Sequence, residues 1–463
     1  MLRAIDELIG GHGRRFVVRR FVQPAQRFAA IEASGGIVLL IGAIIALIWV
    51  NSPWDHSYYS LWETELALDL HLFKIEQHLG HAVNDGLMVL FFFVVGLEIK
   101  RELVSGELSS PRRAILPAAA ALGGMLGPAL IYTAFNAGSE TAHGWGIPMA
   151  TDIAFAVGVL TLLGRRVPAP LKVFLLALAV ADDLGGIIVI AVFYTESLSF
   201  EALGWAALVL LVILVINRGG VVAIAPYVFL GVLFWAAMLK SGIHATIAGV
   251  ILAMLTPSRP YYTDEDFDAT LERLQTEYAL ARADGSHARM QQALAQIEDL
   301  VSGMESPLDR LEHRLAPWTA FVVVPIFALA NAGVAVSGEM LRSAASSPVT
   351  LGVALGLVLG KPVGIFLTSW VCVRLGLAQL PANTSFRQVL GAGMIAGIGF
   401  TVALFIAGLS FENPAHLDEA KIGILAASLI AGLLGSAYLL LLPAPKSADH
   451  GLEAARSAAP SHA

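Results

Sequence analysis

Apolar runs of about 20 residues recur along the whole chain, and the short stretches between them hold most of its charge. A run of that length matches a bilayer core crossed by one helix. Twelve spans are predicted, over 31–50, 80–100, 114–136, 145–163, 172–195, 200–217, 221–239, 243–256, 317–337, 349–374, 387–409 and 420–442. The eighth is short, and a misdivided 221–256 would reduce the count to eleven. One long polar interruption, 256–316, breaks the pattern. Within it Leu271, Leu274, Tyr278 and Ala281, then Met290, Leu294, Ile297 and Val301, recur at helical spacing, and Asp284-Gly285-Ser286 separates the two sets. Two amphipathic helices follow. From Thr64 to Leu72 apolar and polar residues alternate, the period of a half-exposed strand. A hairpin over about 52–76 would have free edges able to pair with a second copy, so a homodimer is expected.

Composition settles the class. Hydrophobic residues make up 57% of the chain and charged ones 14%, far from the balance of a soluble domain. The expected fold is therefore an all-α polytopic membrane protein, one transmembrane domain over 31–442. Basic residues alternate between its two sides: 24 of the 29 Lys and Arg fall on one side, leaving Lys74, Lys240, Arg342, Lys421 and the span-embedded Lys361. That bias places both termini in the cytoplasm. Residues 1–30 are then a basic cytoplasmic N-terminus and 443–463 a cytoplasmic tail, expected to be disordered. The stretch 1–30 precedes an apolar run as in a signal peptide, but Trp49-Val50-Asn51-Ser52-Pro53 offers no small-residue cleavage site, so the first span reads as an uncleaved anchor. A single Cys372 excludes an internal disulfide framework. The net charge of −7 resides in 262–316, with twelve acidic and five basic residues, which reads as a solvated cytoplasmic insertion (257–316) or a partner-docking surface. No nucleic-acid partner and no cofactor are expected.

The candidate chemistry lies where charge interrupts the apolar runs. Asp182 and Asp183 sit in 173–194, Asp152 in 144–163 and Lys361 in 350–373, each run otherwise uncharged. An ionised side chain at membrane depth costs roughly 2.5–3.5 kcal/mol on insertion scales, so four of them point to an ion or proton pathway. Two spans also contain helix breakers. Gly144, Gly146 and Pro148 precede Thr151-Asp152 in the fourth, and Gly391, Gly393, Gly397 and Gly399 precede Phe400-Thr401 in the eleventh. Interrupted helices in the two halves of a chain mark transporter binding sites, although glycines in membrane helices also serve close packing. Facing half-helix N-termini want an anion and facing C-termini a cation; Asp152 and Lys361 are the candidate counter-charges. Neighbouring residues on a helix point about 100° apart, so one of Asp182 and Asp183 lines the path while the other finds a partner, for which Lys361 is the cation at that depth. Two close carboxylates resist double ionisation, and a site able to hold either a proton or a hard cation follows.

Thr151-Asp152-Ile153-Ala154-Phe155, Ala181-Asp182-Asp183-Leu184-Gly185, Val95-Gly96-Leu97-Glu98-Ile99-Lys100-Arg101-Glu102, Leu239-Lys240-Ser241-Gly242-Ile243-His244-Ala245-Thr246, Gly360-Lys361-Pro362 and Gly397-Ile398-Gly399-Phe400-Thr401 closely resemble the bacterial NhaA family of Na⁺/H⁺ antiporters. The resemblance runs in order from about 33 to 442; that family is itself a standing example of inverted repeats. It implies an inverted-repeat fold with discontinuous, crossing helices at spans four and eleven, and an electrogenic exchanger that expels Na⁺ or Li⁺ against protons, is pH-regulated and serves sodium and pH homeostasis. Carried over, Asp183 becomes the ion ligand and Asp182 the partner of Lys361, both at the transported Na⁺, with Asp152 and Thr151 at the helix crossing. Glu98, Arg101, Glu102, Glu312 and His313 match residues of the pH response, for which His244 is a further candidate.

Two departures touch that pH-sensing face: Ala316 stands where the family pattern has a second histidine, and the 256–316 loop is longer than the family's. Blander readings remain for several residues. Glu98, Lys100, Arg101 and Glu102 are also placed to snorkel at a helix end, His244 to sit at an interface, and Asp85 to favour a helix N-terminus. A Na⁺-coupled symporter is the alternative reading, but no second polar cluster provides an organic-substrate pocket. An intramembrane aspartyl protease using Asp152 and Asp183 lacks the motifs such enzymes carry.

Overall fold

A computed structural model describes residues 34–69, 74–195, 198–219, 224–260 and 264–443. The expected N-terminal segment 1–30, the hairpin tip at 70–73 and all but Pro443 of the tail 443–463 lie outside these residues. The described chain is almost wholly helical. Seven helices are long and apolar enough to cross a membrane, three further pairs are bent at short breaks, and two shorter apolar helices, Ile224–Leu239 and Thr246–Leu255, complete the series. Each of the twelve expected spans finds one of these.

Local chemistry explains where the helices begin. Pro307–Asn331, Pro348–Arg374 and Pro414–Leu441 each start with proline, whose fixed φ and absent N–H suit the first helical position. Ser306, Ser347 and Asn413 immediately before them accept backbone N–H bonds as N-caps. These caps start the ninth and last helices well before their apolar runs, so Pro307–Trp318 is helical where the sequence reads as polar loop. A span's edge in hydropathy marks the membrane, and its cap marks the helix.

Contacts divide the chain into two compact units. The first contains Pro111–Gly186 and the chain from Val334 onward. Its interior is organised by backbone approach between helix Pro111–Asn136 and span Pro348–Arg374. A Cβ on Gly364 would overlap the carbonyl oxygen of Gly123, and one on Gly127 that of Gly360. Because lipid supplies no hydrophobic drive between helices, such contacts supply the packing. The outer face of Pro111–Asn136 carries Leu122, Leu126 and Leu130, all more than half exposed. A leucine stripe of this kind at four-residue spacing faces lipid.

The second unit contains Val38–Ser110 and Ile187–Gly333. Ala206, Ile213, Phe234, Met238 and Ala248 form one core cluster, and Leu97, Ala253 and Leu308 another. The alternating segment is a strand, Glu65–Asp69, paired antiparallel with Lys74–His78 so that Ala67 faces Glu76. The polar insertion holds the two expected helices, Asp264–Ala283 and His287–Met304, reversed at Gly285, whose φ of 66° suits glycine. The first buries Leu274 and Ala281 as its period predicts. The second buries Ala293 and Leu300 and exposes Leu294 and Val301. Met290 and Ile297 stay half-buried, so the buried stripe is turned by about 50° around the axis, because periodicity fixes a helix but small residues such as Ala293 leave its phase open.

Replacing Gly364 by valine is expected to destabilise the first unit by about 1–3 kcal/mol, since the obstructing atom is backbone and cannot rotate away. Thermal unfolding in detergent checks this; a melting curve equal to the parent's would show that the two helices can separate freely.

Candidate functional site

The first unit brings the four intramembrane charges to the crossing of two interrupted helices. Glu140–Met149 and Ile153–Leu162 meet at 41°, and Phe386–Ala396 and Phe400–Ser410 at 49°. Between the halves, Asp152 N–H donates to the Ile398 carbonyl at 2.7 Å, so the two breaks bond to each other. Backbone released from one helix is thus satisfied by the other, as lipid requires.

Asp152 serves both second halves. As N-cap of Ile153–Leu162 its Oδ1 accepts from Phe155 N–H at 2.9 Å. Its Oδ2 accepts from Thr401 N–H at 3.1 Å and Thr401 Oγ1 at 2.7 Å, in the first turn of Phe400–Ser410. Two positive helix ends share one buried carboxylate. Thr401 carries no charge and is missed when residues are sought by charge alone; the signal for it is position, just after the glycine break.

The first halves end on the opposite charge. Lys361 is completely buried, and its Nζ donates to the Met149 carbonyl, the last of Glu140–Met149, and to Asp182 Oδ2 at 2.5 Å. Thr151 Oγ1 lies 2.7 Å from the same Asp182 Oδ2 and 3.0 Å from the Ala396 carbonyl, which ends the other first half. One hydroxyl proton serves one of these oxygens at a time. Asp182 Oδ1 is buried and accepts no hydrogen bond among the described residues. Asp183, 5% exposed, is near enough for its charge to act on Lys361. Two features of the chain aim the lysine inward: a π-turn, Gly356–Gly360, immediately before it and Pro362 after it. A π-turn inserts a residue into the helical ladder and turns the face that follows.

The remaining candidates lie in the second unit and do not all meet. Arg101 pairs with Glu312, and Glu98 lies within electrostatic reach of Arg101, Glu102 and Glu312. Glu102 Oε2 accepts from Glu107 N–H at 2.9 Å, holding the turn after the helix. His313 instead faces Glu305 at 3.1 Å on an exposed surface. His244 lies elsewhere, its Nε2 2.5 Å from the Tyr194 carbonyl and within reach of Asp85. Asp85 and Glu98 are thirteen residues apart on one helix, about 20 Å at 1.5 Å per residue. Lys100 turns back to the Met254 and Thr256 carbonyls at 2.7 and 2.5 Å, a cation closing a helix C-terminus.

The family model described as Na⁺/H⁺ antiporter 1 matches residues 26–439. A Na⁺/H⁺ antiporter NhaA of Oleidesulfovibrio alaskensis is 48% identical over 92% of this chain and 94% of its own length. Na⁺/H⁺ antiporter NhaA 2 of Sorangium cellulosum is 48% identical over 93% and 92%, and the NhaA of Acidithiobacillus ferrooxidans 47% identical over 90% and 97%. With a matched region that includes both broken spans and every intramembrane charge, this chain belongs to the Na⁺/H⁺ antiporter 1 family.

Proposed function

We propose that this protein exchanges Na⁺ for H⁺ across a bacterial inner membrane, through a site made by Asp183, Asp182, Thr151 and Lys361 with Asp152 holding the crossing. The observation that carries the reading is the fully buried Lys361–Asp182 pair at the junction of two broken helices. An ion pair removed from water costs several kcal/mol per ion before its own attraction is counted, so packing gives no reason to keep one there. A site that must change charge during a cycle does.

The oxygens suit a hard cation. Two carboxylates, the Thr151 hydroxyl and the carbonyls released at the breaks are ligands of the type that Na⁺ and Li⁺ prefer. Exchange follows as competition. Na⁺ takes the oxygens of Asp183 and the open Oδ1 of Asp182 only when protons have left. Protons arriving from the other side neutralise the carboxylates, and Na⁺ departs. Lys361 responds to the charge on Asp182: while that carboxylate is ionised and uncovered, the ammonium is its counter-charge. When Na⁺ supplies that charge instead, the lysine is free to give up its own proton, which gives electrogenic exchange a second proton carrier.

Orientation and assembly belong to the same proposal. The lopsided Lys and Arg distribution supports cytoplasmic termini, and both edges of the Glu65–Asp69/Lys74–His78 hairpin are open to pairing among the described residues, which supports a homodimer. The Glu98, Arg101, Glu102 and Glu312 cluster would tune the response to cytoplasmic pH. His313, exposed but within electrostatic reach of Glu312, would act on the cluster from its rim, and His244, lying away from it, would contribute less.

In everted vesicles holding a proton gradient, added Na⁺ or Li⁺ should release protons, read by dequenching of a pH-sensitive dye. Asp183→Asn should abolish that release while the protein still folds, and retained Na⁺ transport would sink the assignment of Asp183 as ligand. Lys361→Ala should lower the melting temperature by leaving Asp182 buried without its cation, a loss of about 3–5 kcal/mol for a broken buried pair. An unchanged melting curve would mean that the pair carries no weight. Thr401→Val should lose about 1.5–3 kcal/mol with its bond to the Asp152 carboxylate, and Thr401→Ser should recover most of it.

A further inference from the structure

Apart from the charged cluster, the first unit buries an uncharged amide with a bonding pattern of its own. Asn136, 1% exposed, closes helix Pro111–Asn136. Its Nδ2 donates to the Pro348 carbonyl at 2.9 Å and to the Tyr132 carbonyl at 3.1 Å, and its Oδ1 accepts from Thr141 Oγ1 at 2.8 Å. Tyr132 Oη adds a bond to the Thr141 carbonyl at 2.8 Å. One amide therefore grips the first turn of the broken span and the first turn of the lysine span together. Opposite it, Glu419 accepts from Ser347 Oγ at 2.7 Å through its side chain and from Thr350 Oγ1 at 2.8 Å through its carbonyl, so the start of the lysine span is held on both flanks.

From this grip two legs run to the site. Thr141 to Met149 is a 3₁₀ segment of eight steps, about 16 Å at 2.0 Å per residue. Pro348 to Lys361 is thirteen steps, about 20 Å at 1.5 Å per residue, less whatever the π-turn at Gly356–Gly360 takes up. The legs pack along their length: a Cβ on Gly356 would touch the Pro148 ring. They meet again where Lys361 Nζ donates to the Met149 carbonyl. Tied at one end through Asn136 and bonded at the other through Lys361, the two legs are held in register with each other. Each is stiff: the lysine leg is continuously helical, and the other is a continuous run of 3₁₀ turns that leaves no slack to absorb a slip.

We propose that Asn136 is a positioning residue for the transport site, setting the register between the broken span and the lysine span and thereby the Lys361 to Met149 and Lys361 to Asp182 contacts. Burial alone does not require an amide here, since a leucine would fill the volume. The amide is needed because it donates to one leg and accepts from the other in the same side chain. A slip of the broken leg carries Ala150 and Thr151 with it, and Thr151 is one of the oxygens proposed to hold the cation. A register error of a fraction of an ångström at Asn136 thus appears as a misplaced ligand.

This rests on Lys361 belonging to the transport site, and the test separates the two claims. Asn136→Asp keeps the acceptor for Thr141 and removes the donor to Pro348; Thr141→Val breaks the other arm and leaves Asn136 bonded to the lysine span. Each is reconstituted in proteoliposomes, and its apparent KM for Na⁺ is measured beside its melting temperature, alone and combined with Lys361→Ala. The expected result is a rise in KM of about threefold or more in either variant, with a melting temperature for the double variant close to that of Lys361→Ala alone, the non-additivity of coupled residues. A lowered melting temperature with KM unchanged, or losses that simply add to those of Lys361→Ala, would make Asn136 a structural residue and overturn the proposal. Thr141→Val decides the matter should Asn136→Asp not fold. The cycle reads coupling to Lys361 whatever ion is carried, whereas Na⁺ transport by Asp183→Asn would overturn the site itself.

Discussion

The buried pair of Lys361 and Asp182 is the constraint around which the first unit is built. Neither side chain reaches solvent, so each must be satisfied from within, and the arrangement meets that need economically. The ammonium uses one proton on the Met149 carbonyl and one on Asp182, while Thr151 stands ready at the same carboxylate oxygen. The carbonyl exists as an acceptor only because the helix stops at Met149. A continuous helix there would consume it internally, and the lysine would have no place to go.

The opposite charge repeats the logic. Asp152 stands where the helices restart, accepts from the first turns of both and carries the backbone bond that ties the breaks together. Breaks, counter-charges and crossing are therefore one feature. Each broken helix would be costly in lipid alone, and each buried charge would be costly in an unbroken bundle. Together they make a region in which one carboxylate oxygen of Asp182 accepts no hydrogen bond among the described residues, the oxygen proposed to receive the cation.

Much of this was legible in the sequence because the membrane imposes simple rules. Apolar length located the spans, and isolated charges together with glycine and proline located the breaks, so Asp152, Asp182, Asp183 and Lys361 stood out before any coordinates. What stayed hidden depends on uncharged groups and on phase. Thr401 and Asn136 are ordinary polar residues until the fold brings Asp152 or Pro348 beside them. The early start of Pro307–Asn331 follows from a serine cap and a proline that hydropathy does not weigh. The buried stripe of His287–Met304 keeps Met290 and Ile297 but takes Ala293 and Leu300 in place of Leu294 and Val301, since alanine at a helix contact carries almost no signal in the pattern. Among the pH-response candidates, spacing along the chain could not show that His244 lies far from Glu98 while Arg101 and Glu312 touch.

The central claim is that Na⁺ and protons compete for the same carboxylates. The most direct measurement is calorimetric titration of Na⁺ into the purified protein at mildly alkaline pH, in two buffers of different ionisation enthalpy. Competition predicts heats that differ between the buffers by the protons released as Na⁺ binds, a difference lost in Asp183→Asn. Binding of Na⁺ with the same heat in both buffers would mean that no proton leaves, and would contradict the account.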